Sequence, residues 1–121
     1  MNMFNPLPIR LRPTVVALLL FSLLLGLGSA RATNYNGYQI DLIRPGGDRP
    51  CTLFQLVGVA QADPVLPGSP WFSIPPTTQG YKEMVATLLS AKLGARNIDV
   101  ITTGAVPDAC GHPGVSVILM H

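Results

Sequence analysis

Residues 81–103 read Tyr81-Lys82-Glu83-Met84-Val85-Ala86-Thr87-Leu88-Leu89-Ser90-Ala91-Lys92-Leu93-Gly94-Ala95-Arg96-Asn97-Ile98-Asp99-Val100-Ile101-Thr102-Thr103. Tyr81, Met84, Val85, Leu88 and Leu89 fall at i, i+3, i+4, i+7 and i+8, which lays one apolar stripe along a helix. Lys82, Glu83, Thr87 and Ser90 occupy the other face. Gly80 with Glu83 three residues later resembles a start signal, although a glycine has no side chain with which to cap. Lys92 in the last turn and Gly94 after Leu93 form a stop. Beyond Arg96 the period changes from 3.6 to 2. Ile98 and Val100 alternate with Asp99 and Ile101, so residues 97–103 read as a strand.

Strands surround this helix on both sides. Residues 38–43 (Tyr-Gln-Ile-Asp-Leu-Ile) are a first strand, followed by the proline- and glycine-rich turn 44–50. Residues 51–59 (Cys-Thr-Leu-Phe-Gln-Leu-Val-Gly-Val) are apolar on both faces, the pattern of a central strand. The stretch 61–78 carries Pro64, Pro67, Pro70, Pro75 and Pro76 and is irregular. Inside it, residues 71–74 suit only a short edge strand because prolines flank them. Residues 104–114 form another turn-rich loop, and 115–120 a last strand. The expectation is a mainly β fold with one α-helix, built as a small OB-like antiparallel barrel with the helix over one open end.

The N-terminal segment has a different character. Arg10 and Arg12 precede an apolar run over residues 15–27, which ends in Gly28-Ser29-Ala30-Arg31-Ala32. A basic start, a short apolar middle and small residues at Ala30 and Ala32 make a secretory signal peptide with its cut after Ala32. The run is shorter than the roughly 20 apolar residues of a spanning helix. Residues 1–32 are thus expected to be a cleaved leader and 33–121 one small domain, secreted or periplasmic, with no stable membrane insertion after cleavage. Arg10, Arg12 and Arg31 leave with the leader. The remaining five basic and six acidic residues give a formal charge of −1. A chain so near neutrality has no electrostatic footprint for nucleic acid.

Cys51 and Cys110 are the only cysteines. In an oxidising compartment they are expected to pair, closing a loop worth roughly 4 kcal/mol in chain entropy. The alternatives are two buried thiols or a metal site using Cys110 and His112. Such a site needs three or four ligands, and the other histidine is the last residue, His121.

No catalytic constellation stands out. Ser69, Ser73, Ser90 and Ser116 lack a nucleophile-elbow motif, and His112 sits in a Cys-Gly-His-Pro-Gly turn. Asp41, Asp48, Asp63, Asp99 and Asp108 are scattered and read as solvated or turn-capping residues. Gly46-Gly47 has no following helix to make a phosphate cradle. The expectation is therefore a non-enzyme, with no metal and no cofactor. Trp71 and Phe72, with Tyr81 nearby, are the candidate ligand-binding residues, since an aromatic face can stack on a sugar. The competing reading is that they pin the proline-rich loop to a small core.

These features together look familiar. Cys51 opens a strong early strand, and a helix ends in Leu88-Leu89-Ser90-Ala91-Lys92-Leu93-Gly94. The strand Ile98-Asp99-Val100-Ile101, then Cys110, then a closing strand follow. The chain resembles, over about residues 51–120, the B subunits of the subtilase-cytotoxin and typhoid-toxin type, within a wider set of uncharacterised small exported bacterial proteins. The resemblance implies an exported OB-fold protein with one disulfide, a five-fold ring and glycan binding. The segment from Asp63-Pro64 to Trp71-Phe72 departs from those subunits, and no residue here matches their glycan-contacting serine. A second reading is a small envelope protein with a structural or inhibitory role that binds another exported protein.

Overall fold

The computed structural model describes residues 31–47 and 49–121. The apolar run of residues 15–27, expected as part of a leader, and Asp48 lie outside the described residues. Among the described residues, six strands and one helix follow in the order β1 (Asn34–Tyr38), β2 (Ile40–Pro45), β3 (Thr52–Leu56), β4 (Phe72–Ile74), α1 (Tyr81–Leu93), β5 (Ile98–Thr102) and β6 (Val115–Met120). They make two antiparallel three-stranded sheets, ordered β1-β5-β6 and β2-β3-β4.

The mainly β, one-helix plan is as expected. The barrel is not a closed ladder. The sheets meet at two joints. One is Gln39, the single residue between β1 and β2. The other is an isolated parallel bridge between Ser73 and Gly114, with Ser73 N–H donating to Pro113 O at 2.8 Å. The expected 38–43 segment is largely β2, and β1 is an additional strand that precedes it. The sequence of β1, Asn-Tyr-Asn-Gly-Tyr, is too polar to announce a strand. Pairing with β5 holds it, with a register shift between Tyr35 and Tyr38.

β3 is central, as its two apolar faces require: Thr52, Leu53, Phe54 and Leu56 are all buried. It stops at Leu56 because Gly58 takes φ 78° in the turn that follows. β4 is an edge strand of three residues, and Trp71 lies just outside it. The core gathers Ile40, Phe54, Leu56, Phe72, Ile74, Leu88, Ala91, Ile98, Val100 and Val115. Helix α1 packs on β2 and β6. Its last turn is tied to β2 by Lys92, whose Nζ donates to the carbonyls of Asp41 at 2.8 Å and Ile40 at 3.3 Å.

Two features of the helix depart from expectation. Leu89 is 47% exposed, while Ala91 takes the buried place beside Leu88. The inward line is Met84, Leu88 and Ala91, spaced four and three apart, so Leu89 is rotated off the packed side. Leu93 is 88% exposed. The stop also differs. Gly94 has φ −88°, and the left-handed residue is Ala95 at φ 49°. The chain turns one residue later than the glycine suggests, with Arg96 N–H returning to Ala91 O at 2.9 Å.

Candidate functional site

Cys51 and Cys110 form a disulfide, with Cα atoms 5.5 Å apart across 59 residues of sequence. Both are fully buried and, with Leu53, make a small second core against which Trp71 packs. This settles the cysteines as a staple. It also fixes the loop that carries His112. Among the described residues no group of three or more His, Cys, Asp or Glu side chains could hold a metal ion.

Beside this bond, His112 meets Ser69 and Trp71 from a distant part of the sequence. Ser69 Oγ lies 3.1 Å from His112 Nδ1. The indole of Trp71 lies 6.4 Å from the imidazole of His112, centroid to centroid, tilted by 55°. The backbone of His112 is held from beneath, since Ser73 Oγ donates to its carbonyl at 2.8 Å. Arg49 Nη1 donates to Cys110 O at 2.9 Å, one turn of loop away. Trp71, Ser69 and His112 are each half-buried, so the cluster opens onto the surface with its base anchored.

The imidazole pKa is lowered from its ordinary 6.5, first by burial and then by the positive charges of Arg49 and Arg44. The lowered pKa favours the neutral imidazole, and which of Ser69 Oγ and His112 Nδ1 donates in their hydrogen bond is set by the imidazole's tautomer. Among the described residues no carboxylate is hydrogen-bonded to this imidazole. A serine with a base but no orienting third group lacks the arrangement of an acyl-transfer site. An indole face, a hydroxyl and an imidazole edge thus stand together on one disulfide-fixed base.

Phe72 is not part of this surface. It is fully buried, stacked on Phe54 at 5.0 Å and meeting Tyr35 edge-on at 5.3 Å. Neighbours in an extended chain point to opposite sides, so Phe72 enters the main core while Trp71 packs on the disulfide cluster beside the His112 loop. Tyr81 is also internal in role, its hydroxyl 2.8 Å from Thr52 Oγ1. Ser69 and His112 were legible only as loop residues, because 43 positions separate them.

The aspartates have separate duties. Asp99, on β5, accepts from Gly37 N–H at 2.8 Å and pairs with His121 Nε2 at 2.8 Å. The imidazole first and the Gly37 amide second hold its carboxyl below the ordinary range. Asp63 caps a turn, as expected, through Val65 N–H at 2.9 Å. It is nonetheless only 2% exposed, and its other oxygen accepts from Thr102 Oγ1 at 2.5 Å and Thr33 Oγ1 at 3.2 Å.

Among the described residues no helix is long and apolar enough to cross a membrane. No protein-family model matches the chain, and no curated protein matches it in sequence. Among solved structures the chain is similar in fold to the cholera toxin-like B-subunit from Citrobacter freundii, at 11% sequence identity and a TM-score of 0.50, over 84% of this chain and 95% of that one. At that identity the likeness is one of architecture, and the architecture is that of a toxin B-subunit-like domain.

Proposed function

We propose that the chain is an exported, non-enzymatic binding module that assembles as a ring of identical subunits and binds glycans, in the manner its resemblance to subtilase-cytotoxin and typhoid-toxin B subunits implies. The observation that carries this reading is the Trp71–Ser69–His112 cluster on a disulfide-fixed base. A sugar presents an apolar face and a rim of hydroxyls. An indole with two adjacent polar groups matches both, and a neutral imidazole can donate or accept at the rim. The fold likeness to a toxin-like B subunit gives the same class of function its architectural precedent.

Assembly is supported by the outward face of α1. Leu89 and Leu93, four residues apart, leave apolar surface uncovered at 47% and 88% exposure. A leucine that open gains by burial against another copy, at about 25 cal/mol per Å² of apolar area. The occupant proposed is a second copy, because helix faces of identical subunits meet around the axis of a ring.

Two measurements test the reading. Light scattering on the disulfide-bonded protein should give a multiple of the subunit mass, with a pentamer expected. A glycan array with sialylated and neutral sugars should show selective binding that Trp71→Ala weakens at least tenfold. A monomer that binds no glycan would overturn it.

A further inference from the structure

The start of β1 holds a buried carboxylate that the binding surface does not use. Asp63 is 2% exposed, and among the described residues no Lys, Arg or His is paired with it. Its hydrogen-bonding neighbours are hydroxyls and an amide. Thr102 Oγ1 donates to Oδ2 at 2.5 Å, Thr33 Oγ1 donates to the same atom at 3.2 Å, and Val65 N–H donates to Oδ1 at 2.9 Å. Thr33 N–H in turn donates to Thr102 Oγ1 at 2.8 Å. The backbone nitrogen of Thr33 and the Asp63 carboxylate thus share one neighbour. The two legs bound their separation at about 5.3 Å, within the range over which opposite charges interact strongly.

Thr33 is also the residue at which the sequence places the start of the processed chain. Arg31 and Ala32 are exposed and Thr33 is half-buried, so the chain enters the fold between them. We infer that removal of the leader turns the Thr33 amide into an ammonium that pairs with the buried carboxylate of Asp63, so that processing completes the charge balance of the fold. This rests on the export reading and on its cut after Ala32.

The bond chemistry is a single hydrolysis. Water adds across the Ala32–Thr33 peptide bond, leaving a carboxylate on Ala32 and an amine on Thr33 that takes a proton. An amide nitrogen has one N–H to give, and it goes to Thr102. An ammonium has three N–H donors and a full charge. One keeps the Thr102 contact and others turn toward Asp63. Tyr35 is the other titratable group facing this corner, its hydroxyl donating to Gln61 O at 2.7 Å and Ala62 O at 2.9 Å. Its pKa is raised by burial first and by the negative charge of Asp63 second.

The experiment compares disulfide-bonded protein starting at Thr33, released from a ubiquitin fusion, with protein starting at Ala32, whose ammonium is displaced by one residue into solvent. The Thr33 form should melt about 5–10 °C higher, the size of shift expected for a domain this small. In Asp63→Asn the two forms should melt together. In the unmutated Thr33 form the α-ammonium should titrate above its usual range of about 7.7–8.0, read by NMR on a ¹³C-methylated terminus. That value keeps the inference decidable if Asp63→Asn fails to fold. Equal melting temperatures for the two unmutated forms, or an α-amine titrating at or below 7.7, would overturn the pairing. N-terminal sequencing of the exported protein reads the cut independently. A start other than Thr33 would overturn the processing step whatever the pairing does in the Thr33 form. Neither outcome touches the glycan or ring measurements.

Discussion

The ring of Phe72 lies on that of Phe54, centroids 5.0 Å apart and planes inclined by 13°, while its neighbour Trp71 faces the His112 loop. Adjacent aromatic residues therefore have separable consequences. Phe72→Ala should destabilise the domain by about 3–5 kcal/mol, as for a fully buried aromatic. Trp71→Ala should cost less, because its side chain is half in solvent, and should take glycan binding with it. Urea denaturation of both variants beside a glycan titration checks the pair. Equal stability losses would mean that Trp71 is as much a core residue as Phe72.

The disulfide fixes the base of the same surface. Cys51→Ser should cost about 2–5 kcal/mol and leaves Cys110 without its tether. Non-reducing peptide mapping should recover one linked pair and no alkylatable thiol. The loop that carries His112 is held by this bond at Cys110 and by the Ser73 contacts to His112 and Pro113. Binding should thus fail in Cys51→Ser under conditions where residual fold persists.

Helix α1 separates a ring from a monomer. Leu88 is fully buried, so Leu88→Ala should cost roughly 2–5 kcal/mol in either state. Ser90 is exposed. In a monomer Ser90→Glu should shift stability by no more than about 0.5 kcal/mol. In a ring the added carboxylates approach one another and assembly should weaken, more at low salt than at high, because salt screens exposed charges. Light scattering at two ionic strengths reads the difference. Leu89→Lys should dissociate a ring more completely, since it removes apolar contact as well as adding charge.

His112 sets a pH dependence. Its folded pKa lies below the ordinary 6.5, so between those two values the unfolded chain binds a proton that the folded chain does not. Stability should be full above about pH 6.5 and should fall as the pH drops below it toward the folded pKa. His112→Asn should flatten that part of the profile. Thermal melts from pH 7.5 to 5 measure it. The Asp99–His121 pair acts in a lower range. Its stabilisation is present above the ordinary carboxylate pKa and lost as the pH falls through the depressed value.

The elements legible in the sequence were those with strong periodicity. The stripe from Tyr81 to Leu88 and the alternation of residues 98–102 were clear because burial repeats at the period of the backbone. β1 was hidden, since Asn34, Asn36 and Gly37 have little strand preference and only the pairing with β5 orders them. Leu89 was misplaced for a related reason. A pattern of apolar residues spans a wider arc than the neighbouring strands cover, and the packing of the helix on β2 and β6 decides which edge is left out. The candidate cluster was half legible. Trp71 could be singled out as a large aromatic in a loop, but its partners Ser69 and His112 are ordinary loop residues until the disulfide folds one loop onto the other. The burial of Asp63 had no sequence signal, because a turn-capping aspartate looks the same in solvent as in a core.

The register of β1 also dictates an order of events. Thr33 and Thr102 touch across 69 residues, so the first strand of the domain has no partner until nearly all of the chain is present. The other sheet needs far shorter loops, with β3 lying directly between β2 and β4. Closing a long loop is entropically slower than closing short ones. The sheet of β2, β3 and β4 is therefore the half that can assemble early, and the seam of β1 on β5 is the last to close and the first to open. A pulse of hydrogen exchange during refolding should protect the amides of Phe54 and Leu56 before that of Thr102.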